Sequence, residues 1–211
     1  AYFGYDDDAI YIAAKIKHPN MQEIQKELAV RDDAMNGDYE LFWVSIDPYN
    51  NKEGHFGFAV SSSGVLNDGY FTREWNEDGF NYDTVFDAKI SLNENNWTVE
   101  MIIPYSAIRF PESEIQDWGI NFSRRIRDFE ESYTWNPTDI RTYSWPEQLG
   151  LVKDIKSVKP PLRLFLYPYL QSELDVKKNH SSNLSYSAGL DLKYGLSNSF
   201  TLDLTLIPDF G

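Results

Sequence analysis

The sequence predicts an all-β protein, in which an antiparallel, jelly-roll-like β-sandwich is followed by the first antiparallel strands of a transmembrane β-barrel. Three observations support this prediction. Apolar and polar residues alternate with a period of two along most of the chain, which is typical of half-buried strands. Aromatic residues make up 16% of the sequence and favour strands. Beyond Pro161, strands of about nine residues have an unbroken apolar face, as the strands of outer-membrane barrels do.

The stretch from Trp97 to Arg125 predicts two strands at the centre of the sandwich. Trp97, Val99, Met101 and Ile103 alternate with polar residues, and Trp118, Ile120 and Phe122 repeat the pattern. Pro104 cannot donate a ladder hydrogen bond, so the first of these strands should end there. We expect Trp97 and Trp118 to lie in the hydrophobic core rather than in a binding site.

The remaining strands of the sandwich follow from the same pattern. Residues 1–5 and 9–16 alternate on either side of Asp6-Asp7-Asp8, which predicts a hairpin with a tight turn. Residues 40–46 are apolar on both faces, so we expect a central strand that is covered on both sides. Further strands are predicted around 56–60 and 86–90, whereas residues 67–83 are predicted to be rich in loops.

The composition changes after Lys153 and predicts two domains. We assign residues 1–152 to the sandwich, 153–161 to a linker that contains Lys159-Pro160-Pro161, and 162–211 to the barrel strands. The alternative for the last segment is a hairpin of a soluble protein packed on the sandwich. Three strands cannot close a barrel, so we expect this domain to be incomplete in the present sequence.

Composition excludes several classes of function. A net charge of −14 argues against nucleic-acid binding, which requires clustered Lys and Arg. The absence of Cys excludes disulfides and thiolate metal sites. The many acidic residues are consistent with a solvated surface or with calcium binding.

Several segments resemble a known family. Asp38–Pro48 (DYELFWVSIDP), Phe56–Val60 (FGFAV) and Trp97–Ile108 (WTVEMIIPYSAI) resemble the fold of family-9 carbohydrate-binding modules. Trp118–Arg125 (WGINFSRR) and Ser199–Phe210 (SFTLDLTLIPDF) resemble Gram-negative outer-membrane proteins of uncharacterised function that join such a module to a C-terminal β-barrel. The resemblance implies a β-sandwich, sugar binding and a further strand before Ala1.

Sugar-binding modules hold a ring against aromatic side chains and orient it through polar groups, so the candidates are aromatic residues of loops and their polar neighbours. The candidates in the first loop are Trp75, Asn76, Glu77 and Tyr82. The candidates in the loop-like segment 130–148 are Trp135, Asn136, Asp139, Arg141 and Trp145. For the three tryptophans, the alternative is a ring that covers the edge of the sandwich or packs on the barrel.

Asp32, Asp33 and Asp38 are candidate ligands for a structural calcium ion, because carboxylate oxygens are the ligands that calcium prefers. Their spacing fits no EF-hand loop, and acids that form turns or remain solvated are the alternative. His18, His55 and His180 are isolated in the sequence, and each is expected to be a surface residue.

These observations favour a non-catalytic domain that binds an oligosaccharide or polysaccharide, faces the periplasm and is attached to an outer-membrane barrel. The lipid of that membrane would be the partner of the C-terminal strands. One alternative keeps the fold without a sugar, as a docking or plug domain of an outer-membrane transport or secretion complex. A glycoside hydrolase is a weaker alternative, because two carboxylates catalyse hydrolysis only at a set separation across a cleft.

Overall fold

A computed structural model describes residues 1–24, 28–32, 40–74, 77–126, 131–139, 141, 143–162, 164–175, 183–196 and 200–206. The chain divides into two compact units, Ala1–Pro160 and Pro161–Gly211. Both units consist of antiparallel strands, so the all-β prediction is confirmed. Within these ranges, no helix has the length and apolar character needed to cross a membrane.

The first unit is built from two sheets. Its described strands are β1 (Tyr2–Tyr5), β2 (Ala9–Lys17), β3 (Leu41–Asp47), β4 (Gly54–Ser61), β5 (Leu66–Thr72), β6 (Asp87–Leu92), β7 (Asn96–Pro104), β8 (Ile115–Ile126), β9 (Glu131–Thr134) and β10 (Gly150–Lys156). One sheet has the order β1-β2-β7-β6. The other has the order β10-β8-β3-β4-β5, and β9 pairs with β8.

The two sheets share one hydrophobic core, as expected for a β-sandwich. The four-stranded sheet contributes Ile12, Trp97 and Met101, while the six-stranded sheet contributes Phe58 and Trp118. Trp97 and Trp118 are 0% and 1% exposed, which confirms their predicted place in the core. At about 25 cal/mol per Å² of apolar surface removed from water, such large buried rings dominate the energy of folding.

Asp6 organises the turn of the first hairpin, as the sequence predicts. Its carboxylate accepts hydrogen bonds from the backbone N–H groups of Asp8 (2.9 Å) and Ala9 (3.0 Å). These bonds lower the pKa of Asp6. The turn is also fixed from β7, since the Tyr105 hydroxyl, just after Pro104, donates to the Asp6 carbonyl at 2.7 Å.

Strands β3 and β4 are buried along their whole length, which confirms the prediction of a central strand covered on both sides. The prediction of loops for residues 67–83 is wrong in part, because Leu66–Thr72 forms strand β5. Asn67, Asp68 and Gly69 have low strand propensity, but β5 pairs with β4 along its length.

The second unit is a three-stranded sheet of β11 (Leu164–Asp175), β12 (Asn183–Gly195) and β13 (Thr201–Leu206), in that order. The register places Leu166 beside Leu192 and Leu192 beside Leu204, so the predicted apolar positions share one face. Leu166 and Leu204 are exposed. The described strands form no closed barrel.

The predicted linker differs from the structure at its start. Residues 153–156 belong to β10, and the boundary between the two units follows Pro160.

Candidate functional site

The outer face of the six-stranded sheet, which points away from the sandwich core, carries a groove of about 170 Å³. Alternation along β3 and β8 places Trp43 beside Ser123 and Leu41 beside Arg125 on this face. The described side chains and backbone that line the groove are those of Leu41, Trp43, His55, Ser123, Arg124, Arg125, Ser132 and Trp145. A groove of this size suits a single small ring or the end of a chain, since pockets for drug-sized ligands are several times larger.

Two tryptophans of the groove are held by one hydroxyl group. The indole Nε1 of Trp43 donates to the Ser45 Oγ at 3.0 Å, and the indole Nε1 of Trp145 donates to the same oxygen at 2.9 Å. A hydroxyl oxygen has two lone pairs, so it can accept both hydrogen bonds. The arrangement therefore fixes both rings while leaving them at the wall of the groove.

Trp43 lies across β4 because Gly57 leaves space for its ring. A Cβ atom added at Gly57 would be 2.1 Å from Cζ2 of Trp43 and 3.0 Å from Cε2 of Phe71. The rings of Trp43 and Phe71 are in contact, with centroids 5.5 Å apart. The glycine is thus required by close approach of an aromatic ring rather than by an unusual backbone angle.

Trp145 begins a short 3-10 turn, Trp145–Gln148, which is anchored by hydrogen bonds of Glu147. The Glu147 carboxylate accepts from the Ser144 hydroxyl (2.8 Å) and from the Ser144 N–H (2.9 Å), and these bonds lower the pKa of Glu147. Its other oxygen pairs with the Arg73 guanidinium at 2.7 Å. The position of Trp145 over β3 is thus set by its own turn as well as by Ser45.

His55 is the most deeply buried ionisable group of the groove, with 2% of its surface exposed. Its Nδ1 atom has no hydrogen-bond partner within the described structure. Its ring packs near that of Phe71, with centroids 5.5 Å apart. Burial lowers the pKa of His55 from 6.5 to about 3, so the imidazole is neutral at physiological pH.

The prediction that the three histidines are surface residues is wrong for two of them. His55 lies under the groove, and His18 is 7% exposed, with its Nε2 3.3 Å from the Glu40 carboxylate. His18 follows the last residue of β2 and His55 is the second residue of β4, and isolation in the sequence does not reveal which segment covers them. His180 lies outside the described residues.

Of the second group of predicted sugar-binding residues, the structure places Trp145 in the groove. Trp135 is 59% exposed and contacts Phe122, with ring centroids 6.0 Å apart. Phe122 points to the core side of β8, so Trp135 and Trp145 lie on opposite sides of the sheet.

The polar members of that group stabilise the loop itself. Asn136 donates its backbone N–H to the Asn121 side chain (2.9 Å) and its Nδ2 to the Gln148 carbonyl (2.7 Å). The Asp139 carboxylate accepts from the backbone N–H and from the Nε of Arg141, both at 3.1 Å. The Arg141 side chain is largely exposed at 88%.

Of the first predicted group, the structure describes the side chain of Tyr82 only. Its ring contacts that of Phe56 at 5.3 Å between centroids, and its hydroxyl donates to the Ala107 carbonyl at 3.2 Å. Trp75, Asn76 and the side chain of Glu77 lie outside the described residues.

Asp32, one of the predicted calcium ligands, lies in a cluster with two other acids. Its carboxylate oxygen is within 4.8 Å of carboxylate oxygens of Asp68 and Asp83. Asp33 and Asp38 lie outside the described residues. Asp68 comes from β5 and Asp83 from the segment before β6, so spacing in the sequence does not associate them with Asp32.

An arginine supplies positive charge to this cluster. The Arg31 Nε is 3.7 Å from the Asp32 carboxylate and 3.9 Å from that of Asp83, and its Nη2 hydrogen-bonds to Asp68. Burial raises the pKa of Asp68, while hydrogen bonds from Thr84 and Arg31 oppose the rise. The Arg31 guanidinium contacts all three carboxylates, so a calcium ion could bind them only if this side chain moved away or gave up some of its contacts.

Comparisons with known proteins give a family match for part of the chain and a similarity to a solved structure. Residues 160–211 match a family of domains of unknown function, DUF5916. No curated protein matches the sequence significantly. The fold is similar to that of a Bacteroides uniformis protein described as a "putative carbohydrate-binding protein", with a TM-score of 0.55 and 13% identity over 72% of this chain and 75% of the other. At this identity the similarity shows a shared all-β fold.

Proposed function

We propose that the first unit is a non-catalytic carbohydrate-binding domain that uses the groove on the outer face of its six-stranded sheet. The observation that carries this proposal is the pair of tryptophans, Trp43 and Trp145, fixed at the groove by Ser45. Fixed aromatic rings bind the C–H faces of sugars at low entropic cost, and the hydroxyl groups of Ser123 and Ser132 at the groove can bind sugar hydroxyls. The fold similarity to a protein described as carbohydrate-binding is consistent with this function.

The chemistry of the groove favours binding over hydrolysis. A glycosidase of the usual kind needs two carboxyl groups flanking the scissile bond. The described residues that line this groove include no carboxylate.

The test is calorimetric titration of the chain with xylo- and cello-oligosaccharides and with acidic oligosaccharides. We expect saturable heat that is abolished or reduced at least tenfold by Trp145→Ala. Trp135→Ala is the matched control, since it removes the same side chain from the same loop on the other side of the sheet. Equal losses in both variants, or no heat from a protein with an intact unfolding transition, would contradict the proposal.

We further propose that the second unit belongs to an outer-membrane β-barrel and that the sandwich faces the periplasm. The apolar face formed by Leu166, Leu192 and Leu204 supports contact with lipid. The connection between β12 and β13 has five residues (196–200) and that between β11 and β12 has seven (176–182). Periplasmic turns are the shorter ones, so β11 would start on the periplasmic side.

This topology can be tested in Gram-negative cells that produce the protein. We expect the protein in the outer-membrane fraction, and we expect the sandwich to be cleaved by added protease only after the outer membrane is permeabilised. Cleavage in intact cells would contradict the periplasmic orientation, and recovery in the soluble fraction would contradict the barrel.

A docking role is the second candidate function, and three exposed aromatic residues favour it. Tyr133, Trp135 and Tyr143 are 52%, 59% and 58% exposed. Exposed aromatic residues of this kind are enriched at protein interfaces. If docking is the function, Trp135→Ala should release a co-purifying outer-membrane protein, whereas Trp145→Ala should not.

A further inference from the structure

The groove differs in charge from the rest of the molecule. The sequence has a net charge of −14, but the described lining of the groove contains no acid, and Arg125 has its side chain on this face of the sheet. An acidic protein repels anions at long range, so a local anion site has to be built from specific side chains.

Arg125 is available because nothing in the described structure neutralises it. It is half-buried on the outer face, and its cross-strand neighbours there are Leu41 and Ser132, which are uncharged. In contrast, Arg31, Arg73 and Arg141 each form an ion pair with at least one carboxylate. A half-buried guanidinium without a carboxylate partner is a good receptor for a planar carboxylate, which it can bind through two hydrogen bonds.

The neighbouring Arg124 is not equivalent. Its Nη1 donates to the Lys17 carbonyl, and its guanidinium lies 5.9 Å from the centroid of the Tyr133 ring. Successive residues of a strand point to opposite faces, so the Arg124 side chain is directed to the core side of β8. Arg125 is therefore the arginine that serves the groove.

Arg125 is within reach of a ring bound near the tryptophans. Trp43 lies two residues from Leu41, the partner of Arg125 in the register, so Trp43 and Arg125 are diagonal neighbours on one face. The Trp43 ring extends across β4, away from β8, so a sugar bound against it would occupy the part of the groove between the indole and Arg125. A sugar ring at Trp43 could thus present a substituent to the guanidinium.

His55 lines the groove as an uncharged residue. Its buried Nδ1 has no partner among the described residues. Because its Nδ1 is buried and the register places it at the opposite end of β3 from Leu41 and Arg125, His55 belongs to the wall of the groove and does not share a ligand group with Arg125.

We propose that the groove selects a uronic acid residue, whose carboxylate binds Arg125 and whose ring contacts the tryptophans. This inference rests on the proposed carbohydrate-binding function and specifies the class of sugar. A neutral xylose or glucose residue would fill the same space but would leave the guanidinium without its anion.

The test is calorimetric titration of the chain with tri-galacturonic and tri-glucuronic acid, and with xylotriose and cellotriose of equal length, at low and high salt. We expect at least one acidic trisaccharide to bind at least tenfold more tightly than both neutral ones, with a preference that decreases at high salt. Arg125→Gln should remove the preference, and Arg125→Lys should restore part of it. Arg141→Gln is the control, since Arg141 is an exposed arginine outside the groove.

The outcomes separate this inference from the function on which it rests. Equal binding of neutral and acidic sugars, unchanged in Arg125→Gln, would overturn the inference and leave carbohydrate binding intact. No binding of any sugar by folded protein would overturn both. Competition by an acidic peptide (penta-glutamate) as strong as that of the acidic sugar would also overturn the inference, because the site would then recognise carboxylates without recognising a sugar ring.

Discussion

The indole nitrogen of Trp145 lies 2.9 Å from the hydroxyl oxygen of Ser45, although the two residues are 100 positions apart in the sequence. This hydrogen bond joins a turn late in the first unit to the central strand β3. The same oxygen receives the indole N–H of Trp43. The geometry of the groove therefore depends on one small polar side chain.

Ser45→Ala should destabilise the first unit by about 1–2 kcal/mol, because two indole N–H groups lose their acceptor and one of them belongs to the buried Trp43. It should also weaken the proposed binding of sugar, because both rings are released. Urea unfolding followed by tryptophan fluorescence measures the first effect, and calorimetry the second. Ser91→Ala, on an exposed position of β6, is the control and should change neither. Equal effects in the two variants would show that Ser45 has no special role.

Gly57→Ala should lower the free energy of unfolding by about 1–3 kcal/mol, because the added methyl group overlaps the Trp43 ring. The displaced ring should also change the near-ultraviolet circular dichroism spectrum. Gly4→Ala is the matched control, since a Cβ at Gly4 would meet no atom within 4 Å. A Gly57→Ala protein as stable as the Gly4→Ala protein would contradict the close approach of Trp43.

His55 should make stability depend on pH. Its pKa is lowered to about 3 in the folded protein, so between pH 3 and its ordinary value of 6.5 the unfolded chain binds a proton that the folded chain does not. Stability is therefore fully present above pH 6.5 and falls with decreasing pH, by up to about 1.4 kcal/mol per unit.

The contribution of His55 is isolated by comparison with His55→Phe, which keeps an aromatic ring without a titratable group. Buried carboxyl groups such as Asp47 and Asp68, whose pKa values are raised by burial, act in the opposite direction in both proteins. We expect the difference in unfolding free energy between the two proteins to change steadily between pH 6 and 4. Parallel curves over this range would contradict a neutral, buried imidazole.

Arg31→Gln should destabilise the first unit by roughly 2 kcal/mol, since it leaves the fully buried Asp68 carboxylate without its cation; partial exposure of Arg31 limits the effect. It also leaves three carboxylates within ligand distance of one another. We expect millimolar calcium to raise the melting temperature of Arg31→Gln more than that of the parent protein. Arg109→Gln, at an exposed position, is the control, and equal calcium effects in all three proteins would argue against a calcium site at this cluster.

The structure could be predicted from the sequence where it depends on the residue pattern of a single strand. The alternation around Trp97 and Trp118 placed both rings in the core, and the period of residues 164–206 predicted which leucines share a face. The apolar residues on both faces of β3 also indicated that another segment of the chain covers its outer face.

The identity of the covering segment could not be predicted, because it depends on contacts between distant parts of the chain. The loop position of Trp145 made it a candidate, but the sequence did not separate it from Trp135, which lies on the other side of the sheet. His55 and Arg125 gave no local signal, since a residue of a strand becomes part of a site only when neighbouring strands and loops enclose it. For the same reason, Asp68 and Asp83 were not associated with Asp32.

The long sequence separation between Trp145 and Ser45 has a consequence for folding. Contacts between such distant residues form late and slowly, because the loop between them must close first. The groove is therefore complete only when β3, β4, β8 and the turn at Trp145 have all assembled. A sugar that binds only the completed groove would stabilise the folded unit by mass action. Binding of that sugar would therefore measure the fraction of the protein in which the groove is assembled.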